Sequence, residues 1–171
     1  MLEKNNIKNL MEIIFDNPTK EFHIRELARK IGIAAPTVLL AVEVLKKYDF
    51  VSVYRKGNMK MVRASGSIAF IRAKRVRNIQ RVYESGIIDY LNDLYEKPRA
   101  IVLFGSFSRG DDIEKSDIDI AVVTKSSKEP NLEAFRKKLG RNVSIHEIDI
   151  NKVSKEFHNN IVNGIVMGGA I

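Results

Sequence analysis

Two acidic side chains separated by one residue offer the clearest chemistry in this sequence. Asp117 and Asp119 flank Ile118, and alternate residues of a β-strand point to the same side of a sheet. Two carboxylates on one side favour a hard divalent cation, because Mg²⁺ and Mn²⁺ prefer oxygen ligands. Ile118 and Ile120 predict that the opposite side of the strand is buried. The pattern therefore predicts a Mg²⁺ (or Mn²⁺) site on a half-buried strand.

The segment that precedes this pair is suited to hold a phosphate group. Residues 101–104, IVLF, predict a buried strand that ends at Gly105. A glycine lets the backbone leave the strand and pass close to a phosphate. Ser106 adds a hydroxyl and an N–H at the start of the next helix, where negative charge is favoured. The predicted phosphate-binding residues are therefore Gly105, Ser106 and Arg109. For Arg109 two roles are open, because its charge can neutralise a phosphate or anchor the loop.

Three more acidic residues, Asp111, Asp112 and Glu114, lie in the loop between these two motifs. Charged residues of loops are mostly exposed to solvent. We therefore interpret all three as solvated loop charges and not as ligands, which leaves Asp117 and Asp119 as the carboxylates of the predicted site.

The stretches 101–110 and 116–120 together resemble the signature of the DNA polymerase β-type nucleotidyltransferase superfamily. The resemblance covers residues 100 to about 150 and is closer to the small, minimal members, some of which carry an N-terminal winged helix. It implies metal-dependent transfer of a nucleoside monophosphate from an NTP to an acceptor hydroxyl on a protein, a small molecule or a nucleic-acid end. Asp117 and Asp119 are then the catalytic metal ligands, and Gly105, Ser106 and Arg109 contact the nucleotide.

The same resemblance implies a third metal-binding carboxylate on a later strand, in an apolar-acid-apolar pattern. The matching triplet is Val143-Ser144-Ile145, so Ser144 stands where the family has Asp or Glu. His146 is expected on the face of Ser144, although a lone histidine is more often structural than a ligand. Glu147 is expected on the opposite face by strand alternation and reaches the site only through a bulge or a register shift. We therefore expect weak or absent catalysis, with nucleotide and metal binding retained.

The first 65 residues predict a separate module. Apolar residues recur at helical spacing in residues 7–15, 24–31 and 36–48, and a hairpin is predicted around Gly57-Asn58. This order resembles a winged helix-turn-helix domain, whose recognition helix, the third here, enters the major groove of DNA. Because the recognition helix is mostly apolar, the alternative is a module that binds protein. The predicted DNA-binding residues are Thr37 on this helix and, along the phosphates, Arg55, Lys56, Lys60 and Arg63 on the wing.

The whole chain predicts an α+β protein in three parts. They are a winged helix-turn-helix domain over residues 1–65, a linking helix over 66–98, and a mixed-sheet α/β nucleotidyltransferase domain over 99–171. Gly86 is expected to bend or divide the linking helix. The tail from Val153 is predicted to be helical, with Ile161, Ile165 and Val166 on its apolar side.

Composition narrows the class of protein further. Lys and Arg outnumber Asp and Glu by 29 to 21, which gives a formal net charge of +8 and favours a polyanionic partner such as nucleic acid or a nucleotide. The chain has no cysteine, which excludes disulfides and thiolate zinc sites. No apolar run approaches the roughly 20 residues that span a bilayer, and the N-terminus does not resemble a signal peptide. We therefore expect a cytoplasmic protein.

Two classes of function remain open at this point. The first is an NTP-dependent transferase, which the intact pair Asp117 and Asp119 favours. The second is a DNA-binding or antitoxin-like regulator with a toxin-like protein partner and a catalytically impaired, nucleotide-sensing domain. Ser144 and the basic wing favour this second class.

Overall fold

The helices and strands of the chain are known from a computed structural model that describes residues 2–150 and 152–171. Within those ranges, side chains are described from residue 5 onward. The contacts divide the chain into two units, Met1–Lys74 and Arg75–Ile171, called here the first unit and the second unit. The division falls inside a helix, whereas the sequence predicted boundaries between its three parts at residues 65/66 and 98/99.

The described residues of the first unit form three complete helices, the beginning of a fourth and a small antiparallel sheet. The complete helices are α1 (Leu2–Asp16), α2 (Ile24–Ile31) and α3 (Ala35–Lys47). The strands are β1 (Phe22–His23), β2 (Val51–Lys56) and β3 (Met59–Ala64), in the order β1-β3-β2. The predicted hairpin around Gly57-Asn58 is the pair β2–β3. Gly32 caps α2 in the left-handed region at φ 76°, where its N–H donates to the carbonyl of Ala28, as a glycine readily does.

The apolar stripes of these helices form the core of the first unit. Residues four apart lie on one face of a helix, and Leu10 and Ile14 of α1 meet Val38 and Val42 of α3 there. The sheet closes this core with Phe22 of β1 and with two further apolar side chains, Val51 and Val62. The pattern that predicted the helices therefore also predicted which residues are buried.

Two consecutive helices occupy the segment that the sequence analysis described as a linking helix. They are α4 (Ile68–Ser85) and α5 (Ile87–Leu94), and Gly86 lies between them at φ 82°. A left-handed residue cannot continue a right-handed helix, so the predicted effect of Gly86 is a division. Among the described residues, we find no helix with the length and apolar character needed to cross a membrane.

The second unit is built on a four-stranded sheet. Its strands are β4 (Ala100–Phe104), β5 (Ile118–Val123), β6 (Val143–Ile148) and β7 (Ile165–Gly169), in the order β6-β5-β4-β7. The pairs β4–β5 and β4–β7 are antiparallel, whereas β5–β6 is parallel. Three further helices belong to this unit: α6 (Gly105–Arg109), α7 (Glu133–Leu139) and α8 (Lys155–Val162). The fold is thus α+β with a mixed sheet.

Side chains alternate between two apolar layers on the faces of this sheet. Ile118, Ile120 and Val122 of β5 belong to one layer, which includes residues of α5 and α7. Ala121 and Val123 belong to the other layer, which includes Ile161 of α8. Because strand residues alternate in direction, Asp119 shares the face of Ala121, on the α8 side of the sheet.

The C-terminal tail corrects one prediction from the sequence. A helical tail with Ile165 and Val166 on its apolar side was expected, but α8 ends at Val162 and these two residues begin β7. The chain turns at Gly164, where a Cβ atom would lie 2.8 Å from the carbonyl oxygen of Leu103. The tail thereby passes close enough to β4 to pair with it, which satisfies backbone groups that a helix would have left unpaired on this strand.

Candidate active site

Asp119 lies on β5, an inner strand of the sheet, near the edge at which β4 ends and β6 begins. In register it is opposite Phe104, the last residue of β4, and opposite Ser144 of β6. Asp117 precedes β5 by one residue and is exposed, whereas Asp119 is half-buried. The strand begins between them, where the N–H of Ile118 donates to the carbonyl of Asn142 at 2.9 Å. The site is therefore open to solvent on the side of Asp117.

Gly105 contacts the carboxylate of Asp119 through its backbone. It has φ 73°, and a Cβ atom at this position would lie 2.6 Å from Asp119 Oδ2. Only glycine combines this left-handed conformation with such a close approach. The chain leaves β4 at this point and begins α6, on which Ser106 is half-buried and Arg109 is exposed. Gly105 thus lies beside Asp119, and Ser106 follows it at the start of α6.

We predict that Gly105→Ala weakens divalent-cation binding at least ~10-fold, because the added methyl group displaces the Asp119 carboxylate. It should also cost about 1–2 kcal/mol of stability, since alanine is strained at this φ. Gly86→Ala is the matched control. Gly86 has φ 82°, and a Cβ there would meet no atom of the described residues within 4 Å. Manganese titration and urea unfolding of both variants test the prediction, and equal cation affinity in the two would contradict it.

Polar side chains of β6 and of the residue before it lie around the acidic pair. Asn142 Nδ2 donates to Asp117 Oδ2 at 3.0 Å, and Ser144 Oγ lies 3.5 Å from the same oxygen. His146 Nε2 is 3.5 Å from Asp119 Oδ1. The structure therefore brings Ser144 and His146 to the two carboxylates. Asn142 was not among the sequence candidates, although its position just before a strand parallel to β5 was a usable signal.

Glu147, the remaining candidate for a third ligand, is not brought to the pair. The pairing of β5 with β6 is in continuous register from Ile118↔Val143 to Val123↔Ile148, so no shift turns Glu147 towards Asp119. Its carboxylate instead accepts hydrogen bonds from Tyr95 Oη at 2.7 Å, Ser127 Oγ at 2.7 Å and the N–H of Lys128 at 2.6 Å. Glu147 thus fastens the loop after β5 to the opposite face of the sheet.

The contacts of Glu147 predict how the stability of the fold depends on pH. Burial opposes ionisation of Glu147, but the hydrogen bonds from Tyr95, Ser127 and Lys128 outweigh it and lower the pKa of the carboxyl. A carboxyl with a lowered folded-state pKa stabilises the fold fully above its unfolded pKa of roughly 4.3. That stability is lost as the pH falls through the folded-state pKa. Urea unfolding from pH 7 to pH 3 should therefore show a smaller loss for Glu147→Gln than for the wild type, and parallel curves would contradict this.

Asp112 corrects the interpretation of the loop acids as solvated charges. It is 2% exposed, and its carboxylate accepts hydrogen bonds from Asn78 Nδ2 at 2.8 Å and Arg141 Nη2 at 3.2 Å. Arg141 Nη1 also donates to the carbonyls of Ile113 and Ser116. The general exposure of loop charges fails here because a buried carboxylate is stable when it is paired and hydrogen-bonded. Asp112 and Arg141 hold the loop that leads to Asp117.

Asp111 and Arg109 behave differently from Asp112. Arg109 Nε donates to Asp111 Oδ2 at 3.0 Å, and both side chains are largely exposed. This contact is the loop-anchoring one of the two roles considered for Arg109. An exposed pair of this kind contributes little to stability, so the guanidinium can exchange its partner at small cost.

The residues present fit a Mg²⁺ ion that brings further ligands with it. Mg²⁺ is usually held by one or two carboxylates, with substrate phosphates and water completing its shell. Asp117 and Asp119 supply the carboxylates. Within residues 2–150 and 152–171, no group of three or more His, Asp or Glu side chains is arranged to hold a metal ion. Two carboxylates would leave coordination positions for the phosphate oxygens and the water molecules that such an ion keeps.

The DNA-binding candidates lie in the first unit, on α3 and on the hairpin β2–β3. Lys60 Nζ pairs with Glu43 at 2.8 Å, and Lys56 Nζ lies 3.8 Å from Glu21. The guanidinium of Arg63 lies over the ring of Tyr54 at 5.6 Å. Arg55 is exposed, and Thr37 is half-buried.

The helix that was expected to read bases has a largely apolar surface. Leu40 is 66% exposed and Val44 is 40% exposed, and both line a small cavity of about 100 Å³ with Thr37 and Ile7. Such a surface offers few hydrogen bonds to base edges. This observation keeps the protein-binding alternative open for the first unit.

Comparison with known proteins gives one match. Residues 85–169 match the model of the family described as polymerase beta, nucleotidyltransferase. No curated protein and no solved structure matches the chain. The matched segment includes β4 to β7 and contains Gly105, Ser106, Asp117 and Asp119. The match and the geometry together support placing residues 85–169 in the polymerase β-type nucleotidyltransferase superfamily.

Proposed function

We propose that this protein is a Mg²⁺-dependent (or Mn²⁺-dependent) nucleotidyltransferase that moves a nucleoside monophosphate from an NTP to an acceptor hydroxyl, with release of pyrophosphate and of the hydroxyl proton. One observation carries the proposal. The backbone of Gly105 passes so close to the Asp119 carboxylate that a Cβ atom on it would lie 2.6 Å from Oδ2. Phosphates bound at this turn would therefore reach a cation held by Asp117 and Asp119. The family match of residues 85–169 supports the class of reaction.

Each residue has a distinct role in this proposal. The hydroxyl and the N–H of Ser106 bind phosphate oxygens, and Gly105 leaves room for them. Arg109 exchanges Asp111 for a phosphate, because a charge-assisted bidentate contact is stronger than its exposed ion pair. Asp117 and Asp119 would hold the cation, whose positive charge would offset the negative charge of the phosphates during in-line transfer. Asn142 keeps Asp117 oriented through its 3.0 Å hydrogen bond.

Incubation of the protein with each labelled NTP, Mg²⁺ and cell lysate tests the proposal. We expect a labelled product that is covalent, depends on Mg²⁺ and appears with a preferred nucleotide. Lysate treated with nuclease or with protease identifies the class of acceptor. Absence of both nucleotide binding and product with all four NTPs would contradict the proposal.

We propose that the first unit adds a binding function directed at DNA. Nearly all of the excess positive charge of the chain lies there, since basic residues outnumber acidic ones about two to one in Met1–Lys74 and are almost balanced in Arg75–Ile171. Three helices followed by an antiparallel hairpin, with basic residues on the hairpin, suit a winged helix-turn-helix domain. A polyanion is the partner that this charge distribution favours.

We predict that reversing the charge of Arg55, Lys56, Lys60 and Arg63 together lowers affinity for duplex DNA by at least ~100-fold at low salt. Lysine and arginine release counterions when they bind phosphates, so the wild-type affinity should also fall steeply as salt rises. Fluorescence anisotropy with labelled duplex measures both effects. Charge reversal of Lys137 and Lys138, exposed on α7, is the control. Unchanged affinity in the fourfold variant would favour the protein-binding alternative.

A second candidate function is a regulator that senses nucleotide without turning it over. The observation that favours it is the register of Ser144, whose Cα is paired with that of Asp119, because a neutral hydroxyl is a weak substitute for an anionic ligand beside the acceptor. In the labelled-NTP assay this candidate predicts binding without product. Ser144→Asp should then create transferase activity or increase it. Brisk turnover by the wild type would exclude this candidate.

A further inference from the structure

His146 carries a ring nitrogen that is buried and has no hydrogen bond to any residue that the structure describes. Nε2 is shielded from solvent, although the side chain as a whole is 37% exposed. Asp119 Oδ1 is 3.5 Å away, which is longer than an N–H···O hydrogen bond. Buried polar atoms nearly always have a partner. An orphaned nitrogen aimed at a carboxylate indicates a contact that shortens when the site is loaded.

The surroundings of His146 fix its ring in this direction. Phe104 of β4 packs edge-on against the imidazole, with ring centroids 5.2 Å apart and an interplanar angle of 67°. Phe157 of α8 lies at 5.9 Å, and the two phenylalanines contact each other at 5.6 Å. The ring is thereby held between the sheet and α8 while its Nε2 faces Asp119.

The carboxylate of Asp119 is confined from two directions. Oδ1 faces His146, and Oδ2 faces the backbone of Gly105. On the neighbouring carboxylate, Asn142 already donates to Asp117 Oδ2. The strand β6 and the residue before it therefore place Asn142 and Ser144 at Asp117 and His146 at Asp119.

We propose that His146 is a positioning residue for the cation site and, through Asp119, determines its metal affinity. In this arrangement the Nε2–H of His146 donates to Asp119 Oδ1, which fixes the rotamer of the carboxylate that binds the ion. Ligating carboxylates need such hydrogen bonds, and loss of one lowers metal affinity by roughly 10–100-fold. The inference rests on the proposed function, because it assigns a role at the same site.

Two variants separate the donor from the aromatic packing. His146→Phe keeps an aromatic ring between Phe104 and Phe157 but removes the donor. His146→Gln removes the ring but keeps an N–H near the position of Nε2. Mn²⁺ is the probe, alone and with ATP, and free Mn²⁺ is measured by electron paramagnetic resonance on the full chain. We expect ~10–100-fold weaker Mn²⁺ binding in His146→Phe and less than about threefold weakening in His146→Gln. Because His146→Phe keeps the aromatic packing, it should have a higher thermal stability than His146→Gln.

The outcomes are separable. Wild-type affinity in His146→Phe overturns the inference and leaves the proposed function intact. Equal weakening in both variants, in parallel with their loss of stability, also overturns it, because His146 is then structural. An imidazole nitrogen coupled to the bound ion in the wild type overturns it in favour of direct ligation. A wild-type protein that binds neither Mn²⁺ nor Mn²⁺·ATP overturns the inference and the proposed function together.

Discussion

In the double variant Asp117→Ala, Asp119→Ala, we expect the NTP affinity measured with Mg²⁺ to fall at least ~10³-fold. Any transferase activity should fall by at least the same factor. The reason is electrostatic. Phosphate groups carry negative charge, and without the cation they would approach the remaining polar side chains with no compensating charge. Removing both carboxylates removes the oxygen ligands that hold that cation. Removing the interaction that stabilises charge in phosphoryl transfer costs several kcal/mol of transition-state stabilisation.

Calorimetry of NTP binding with and without Mg²⁺ measures this effect. The wild type should bind more tightly with Mg²⁺, and the double variant should show the same weak affinity in both conditions. Glu129→Ala is a matched control, since Glu129 is an exposed acidic residue of the second unit that lies in the loop after β5. Asp119→Asn keeps the shape of the side chain and tests charge alone. Equal Mg²⁺-dependent affinity in the wild type and the double variant would remove the acidic pair from the site.

Replacing Asp112 by asparagine is expected to destabilise the fold by about 3–5 kcal/mol, the cost of leaving one partner of a buried ion pair without its counter-charge. The side chains of Asp112 and Arg141 are 0% and 6% exposed, and their charged atoms are 3.2 Å apart. The guanidinium would stay buried with only carbonyl oxygens as partners. An ordinary domain has a total stability of about 5–15 kcal/mol, so this single change should be prominent in urea unfolding.

The matched control is the exposed pair Glu133 and Lys137, which lies one helical turn apart on α7 at 3.6 Å. Glu133→Ala should cost less than about 1 kcal/mol, because solvent screens such pairs. Asp112→Leu combined with Arg141→Met should cost less than the sum of the two single changes, since neither charge is then left alone. Additive losses, or equal losses from Asp112→Asn and Glu133→Ala, would contradict the role assigned to the buried pair.

The buried pair of Asp112 and Arg141 is connected to the candidate active site. Arg141 holds the carbonyls of Ile113 and Ser116, and the next residue, Asn142, donates to Asp117. Disruption of the Asp112 pair should therefore weaken NTP binding even where the protein remains folded. The distance between the two charges along the chain, 29 residues, explains why the loop appeared to be solvated from the sequence.

Local patterns in the sequence determined much of this protein. The period of two at residues 117–123 predicted Asp117 and Asp119 on one side, and the signature around them predicted the nucleotidyltransferase family that residues 85–169 match. Gly32 and Gly86 ended helices because their left-handed conformation is a property of the residue and its neighbours. The hairpin at Gly57-Asn58 and the strand at residues 143–148 followed from equally local signals.

Only the tertiary structure decided the contacts made across strands and loops. The parallel register of β5 and β6 put Ser144 opposite Asp119 and sent Glu147 to Tyr95. The burial of Asp112 depended on Arg141, and the strand β7 depended on the free edge of β4. Each of these features is a choice of partner between residues far apart in the chain. Spacing in one segment specifies the direction of a side chain but not the group that it meets, because that group is selected by packing.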